Sequence, residues 1–117
     1  MTQLDLSQFT GTEAYYRYSP LFPKVVLTDG AKYLAEEAGA FWLMDCIASH
    51  IPSITDYFAI AQLKKEKWWK FTLTDDLPAN VTYAKQAIEF SDFPLDEIKL
   101  YVIKQDDLWV ILLPSEY

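Results

Sequence analysis

Cysteine, histidine and arginine each occur once in this 117-residue chain, as Cys46, His50 and Arg17, and glycine occurs three times. A lone cysteine cannot close an intramolecular disulfide, which suits a reducing cytoplasm. One cysteine and one histidine cannot by themselves build a zinc site within one chain. Gly11, Gly30 and Gly39 form no phosphate-cradling loop, and the P-loop and dinucleotide fingerprints are absent, so no cofactor is expected. Long apolar runs are missing too. The longest with a single polar interruption covers residues 38–48, far short of the ~20 residues of a helical membrane span. The opening "MTQLDLSQFT" lacks a basic stretch followed by an apolar one, so no secretory signal is read and the chain is placed in the cytoplasm.

Positive charge is scarce as well. Seventeen acids face ten bases, for a net charge of −7. Phosphate recognition leans on arginine forks and basic patches, so nucleic-acid binding over a broad surface is disfavoured. The acidity serves solubility in the simplest case. In a sharper one, an acidic face docks a basic partner protein, even by imitating DNA phosphates.

What is present is apolar and aromatic mass. With 51% hydrophobic and 16% aromatic residues, the chain has the length and core of one domain spanning 1–117. It can bury about two-thirds of its unfolded surface.

The N-terminal half reads as helix. "TGTE", from Thr10 to Glu13, has capping-box spacing, and a short helix through "EAYYRY" is expected to end before Ser19-Pro20. Pro20 and Pro23 impose an extended connection, because the residue before proline avoids the α region. "KVVL" suggests a brief strand, after which Thr28 or Asp29 caps a second helix. At 3.6 residues per turn that helix gathers Ala31, Leu34, Ala35, Ala38, Phe41, Trp42, Asp45, Ala48 and Ser49 on one stripe. Gly39 bends or divides it, and Pro52 closes it.

The C-terminal half alternates with a period of two. "YFAIAQLKK" and "WWKFTLT" form a hairpin signature, with Trp69, Phe71 and Leu73 facing one way. "VTYAKQAIEF" changes parity between Tyr83 and Ile88, which calls for a bulge. "EIKLYVIK" and "LWVILL" form a second hairpin across Gln105-Asp106-Asp107. The last strand is apolar on both faces, which suits a central position. The expected fold is α+β. Two or three helices from the N-terminal half pack on one face of an antiparallel sheet of about four to five strands from the C-terminal half.

At "FTGTEAYYRY", "VLTDGAKYLAEEAGAFWLMDCIASH", "FSDFPLDEIKLY" and "LLPSEY", the chain resembles a family of short bacterial proteins of unknown function, familiar from cyanobacteria and from plasmid- or phage-borne genes. The resemblance implies a mobile-element setting. It brings no activity, cofactor or catalytic residue.

Two constellations could carry chemistry. In "AFWLMDCIASH", Cys46 and His50 share a helical face at a spacing of four, as a thiolate dyad would require. However, Cys46 lies in the last turns of the helix, where the dipole opposes an anion, and His50 there completes the dipole as a cation. A structural thiol outweighs the dyad. Asp45, within the expected core stripe, requires a partner, because an unpaired buried carboxylate costs several kcal/mol or takes up a proton. Ser49, one turn on, is the local candidate. Asp45 is then either an anchor that fixes the helix on the sheet, or a carboxylate in an aromatic pocket with Phe41 and Trp42.

The second constellation is "KKEKWWKF", the chain's basic cluster: Lys64, Lys65, Lys67 and Lys70 beside Trp68 and Trp69. Lysines among aromatics can hold single-stranded nucleic acid. A solvated hairpin end, with lysines protecting an edge, explains them more simply. An outward-facing Trp68 is a candidate interface anchor. The acidic groups at Asp75-Asp76, Asp92 with Asp96 and Glu97, and Asp106-Asp107 lack EF-hand spacing.

The sequence therefore points to an interaction module that binds an unidentified protein partner or pairs with itself. A small-ligand binder or enzyme built on Asp45 is the alternative, and a weak single-stranded nucleic-acid binder using Lys64, Lys65, Lys67, Lys70 and Trp68 is a second. The sequence leans away from an enzyme, although it leaves open a hydrolase that uses only carboxylates.

Overall fold

The computed structural model describes residues 14–66, 68–75, 81–88, 93 and 96–117. Two helices and seven strands follow one another: β1 (Tyr16–Arg17), β2 (Val25–Leu27), α1 (Asp29–Glu37), α2 (Phe41–His50), β3 (Phe58–Lys65), β4 (Trp69–Thr74), β5 (Thr82–Ile88), β6 (Glu97–Gln105) and β7 (Leu108–Leu112). Short 3₁₀ turns occupy Ile51–Ser53, where Pro52 ends α2, and Pro114–Glu116.

The strands form one sheet in the order β1-β2-β7-β6-β3-β4-β5. The expected α+β class holds, but four to five strands is too low a count, because two short N-terminal strands extend the sheet beyond β7. The sheet is also mixed rather than antiparallel. Val25, Val26 and Leu27 run parallel to Trp109, Val110 and Ile111, while the other pairings are antiparallel. Directly after β2 the chain turns into α1, so β2 joins the sheet through a helical crossover instead of a hairpin.

The helix expected through "EAYYRY" is replaced at Tyr16–Arg17 by strand β1, which pairs Tyr16 with Leu27 and Arg17 with Val26. So short a segment before Ser19-Pro20 cannot offset helix nucleation, whereas an exposed sheet edge supplies partners at once. The capping box at Thr10–Glu13 lies outside the described residues.

Both helices pack on one face of the sheet. Leu34, Ala35, Leu43, Met44 and Ile47 meet Ala61, Leu63, Phe71, Leu73, Leu100, Val102 and Ile111 in one core. The period-two assignments of β3 and β4 hold: Trp69, Phe71 and Leu73 are buried. Burying a side chain such as Phe71 or Leu63 contributes about 1.5–3 kcal/mol. β7 lies between β2 and β6, as its two apolar faces require. The irregularity expected between Tyr83 and Ile88 lies instead at the start of that interval, as a register shift opposite Leu73 and Thr74, and residues 84–88 pair regularly. Leu73 and Thr74 pair with Ala84 and Thr82, which leaves Tyr83 as the extra residue.

The helix stripe is the main correction. Gly39, at φ 59°, separates α1 from α2 and resets the phase. The buried face of α2 is Leu43, Met44, Ile47 and Ala48, so Phe41, Asp45 and Ser49 are exposed and Trp42 is half-buried. A 3.6-residue count carried through Gly39 cannot register that break.

Candidate functional site

The phase change turns Asp45 from a core residue into the acidic group of an open groove of about 580 Å³. Helix α2 supplies Trp42, Asp45, Cys46 and Ser49, and β5 supplies Gln86 and Ile88. The connection before β2 supplies Leu21 and Phe22. Gln86 and Ile88 reach this side because they share the parity of Ala84, which packs into the helix-facing core. Phe22 is fixed by stacking on Tyr18, with ring centroids 6.2 Å apart.

Tyr18 joins this connection to α2. Its hydroxyl donates to the Met44 carbonyl at 3.2 Å. Its phenol is pushed well above the usual tyrosine range, first by burial and then by the neighbouring charge of Asp45. Among the described residues no lysine or arginine forms an ion pair with Asp45. Asp45 is exposed where it lines the groove.

Ser49 does not serve Asp45. Its hydroxyl donates to the Cys46 carbonyl at 2.9 Å. The Cys46 thiol donates to Gln86 Oε1 at 3.5 Å, and burial raises its pKa. His50 stacks on Phe71, with centroids 6.3 Å apart. Of the four residues expected around a pocket, the groove collects Asp45, Ser49 and Trp42, while Phe41 is not among its lining residues.

The basic cluster is divided between faces. Trp68 is 52% exposed, as an interface anchor requires. Lys65 belongs with the helix-facing parity and lies over the Trp69 ring at 5.8 Å. Lys64 and Lys70 pair with one another on the opposite parity, and Lys67 lies outside the described residues.

Sequence reasoning missed Glu116. Its carboxylate is buried and accepts hydrogen bonds from Thr28 Oγ1 at 2.6 Å, the Gly30 amide at 3.0 Å and the Leu113 amide at 3.0 Å. Thr28 in turn caps α1 by accepting from the Ala31 amide. "TDG" and "LPSEY" thus interlock. The available signal was an acid embedded in the otherwise apolar ending "LWVILLPSEY". A second cavity of about 370 Å³ opens beside it, between Tyr15, Ile103, Val110 and Tyr117 on the helix-free face. Glu116 is already committed to the cap there.

No helix of the described residues is long and apolar enough to cross a membrane, and among them no group of three or more acids, histidines or cysteines is arranged to hold a metal ion. The chain belongs to DUF6876, a family of unknown function, which it matches over residues 1–117. No curated protein and no solved structure matches it.

Proposed function

We propose that this DUF6876 chain is a binding module whose groove takes a basic side chain of a partner protein, with Asp45 as the counter-charge. One observation carries this reading: an exposed carboxylate, without a described cationic partner, stands beside apolar and aromatic walls. A lysine or arginine side chain has matching parts, a charged head for Asp45 and an aliphatic stem for Trp42, Phe22 and Leu21. The aromatic rings can add a cation–π contribution. The groove is larger than one such stem, so an apolar neighbour of the basic residue fills the remainder.

The surrounding charge supports the same partner. Glu36 and Glu37 are exposed on α1, and Lys32 is drawn to Glu36 at 3.9 Å. An acidic helical layer accelerates the approach of a basic partner and weakens with salt. A role as an accessory protein of a mobile element is compatible with this, and the family resemblance motivates it.

Cys46 supplies a reporter, because it is the chain's single cysteine and lines the groove. Short peptides carrying lysine or arginine beside leucine or phenylalanine are expected to slow its alkylation. Peptides with norleucine in place of the basic residue are not. Asp45→Asn should weaken binding about tenfold or more without changing the far-UV spectrum. Equal protection by neutral and basic peptides, or no protection by either, overturns the proposal.

A further inference from the structure

The helix-free face of the sheet carries a surface of the opposite charge. Register sets Glu97, Lys64, Lys70 and Ala87 side by side across β6, β3, β4 and β5. The next row is Lys99, Gln62, Thr72 and Lys85. The rows are two residues apart on every strand, so all eight side chains leave the same face. Their alternates Leu63, Phe71, Leu73 and Leu100 pack under the helices, so that face points away from the helical layer.

Lys64, Lys85 and Lys99 are exposed and Lys70 is half-buried. Four of the chain's ten bases thus share a patch about 15 Å across, three strand spacings wide. Glu97 is the single acid in these rows, and Gln62 donates to it at 2.6 Å. Among the described residues none of the four lysines is in an ion pair.

Aromatic rings border the patch. Tyr101 follows Lys99 on the same parity, and its ring meets Phe58 at 5.0 Å and Tyr117 at 5.3 Å between centroids. Tyr117 is 70% exposed.

We propose that this face binds single-stranded nucleic acid, with phosphates on Lys64, Lys70, Lys85 and Lys99 and a base stacked against Tyr117 and Tyr101. Lysines hold phosphates as point charges without reading sequence, and aromatic faces accept any base. An acidic protein segment would satisfy the lysines but leave the rings unused, which favours nucleic acid. The net negative charge keeps the affinity modest and confines it to low salt. This surface is separate from the Asp45 groove, and Asp45→Asn leaves it unchanged.

The test is the fluorescence anisotropy of a labelled oligothymidylate of about 20 nucleotides, titrated between ~50 and ~200 mM salt. Four phosphate contacts on a single strand give a log–log salt slope of about −3. Lys64→Glu combined with Lys99→Glu should reduce affinity about tenfold or more, and Tyr117→Ala several-fold, whereas Lys24→Glu should do neither. All these residues are exposed, so the variants keep the fold, which circular dichroism verifies. Absence of binding at ~50 mM salt overturns the assignment, as does undiminished binding by the double variant. Full competition by an oligoglutamate peptide, with no effect of Tyr117→Ala, also overturns it and makes the face a site for acidic protein segments.

Discussion

Glu116 and Thr28, 88 positions apart in the chain, meet carboxylate to hydroxyl at 2.6 Å and together close the N-terminus of α1. The contact places a negative charge where the helix dipole favours one, and it satisfies the Gly30 amide, which α1 itself leaves unpaired. It ties the end of the chain to the first helix across the sheet. Glu116→Ala leaves the Gly30 and Leu113 amides without this partner. It should cost about 2–3 kcal/mol in urea unfolding. A change below about 0.5 kcal/mol would mean that the lock contributes nothing.

Gly30 is the space in which that lock fits. A Cβ there would stand 2.5 Å from Glu116 Oε1 and 2.6 Å from Leu113 Cδ1. Gly30→Ala should therefore destabilise the fold despite alanine's better helix propensity. In the Glu116→Ala background part of that cost should disappear. Strict additivity in a double-mutant cycle would count against the contact.

Gly39 makes the opposite case. A Cβ there meets nothing within 4 Å, but φ is 59°. Gly39→Ala should cost about 1–2 kcal/mol from the left-handed backbone alone, and Gly39→Asn distinctly less. Equal costs for the two would point to a cause other than backbone conformation.

Tyr18 should titrate above its ordinary value of 10.0. The neutral phenol is the form that the folded state favours. Its contribution to stability is therefore complete below about pH 10 and is lost as pH rises toward the higher folded value. Asp45→Asn should lower the folded pKa, though not to the ordinary value, because burial is the larger cause. Ultraviolet titration of the phenolate checks this, with Tyr18→Phe identifying the signal. An unchanged midpoint in Asp45→Asn would dissociate the two residues.

Cys46 should be a slow thiol. Burial raises its pKa, so less thiolate exists at neutral pH than in a free cysteine. Alkylation at pH 7 should be several-fold slower in the folded chain than in urea. A rate equal to that of free cysteine would make Cys46 a candidate nucleophile.

Much of the fold was legible in local pattern. Trp69, Phe71 and Leu73 announce β4 because side chains alternate across a sheet, and one buried face demands one apolar parity. Thr28 announces α1 because a hydroxyl before a helix can accept from its unpaired amides. Tyr16 and Arg17 escape a local reading because their structure comes from pairing with Leu27 and Val26, which no local window contains. The exposure of Asp45 is not legible in residue spacing, because one left-handed residue, Gly39, resets helical phase and spacing does not record a backbone angle.

The sequence by itself determined the ingredients: an apolar, aromatic chain of net negative charge with one cysteine, one histidine and three glycines, and strands and helices set by side-chain period. Tertiary structure alone decided which of those ingredients became neighbours. It exposed Asp45 beside Trp42, buried Glu116 against Thr28, and sorted Lys64 and Lys70 from Lys65 while adding Lys85 and Lys99. The reason is physical. Period and capping act over a few residues, whereas register and helix phase bring together groups far apart in the chain, and the charge of a surface is the sum over those groups.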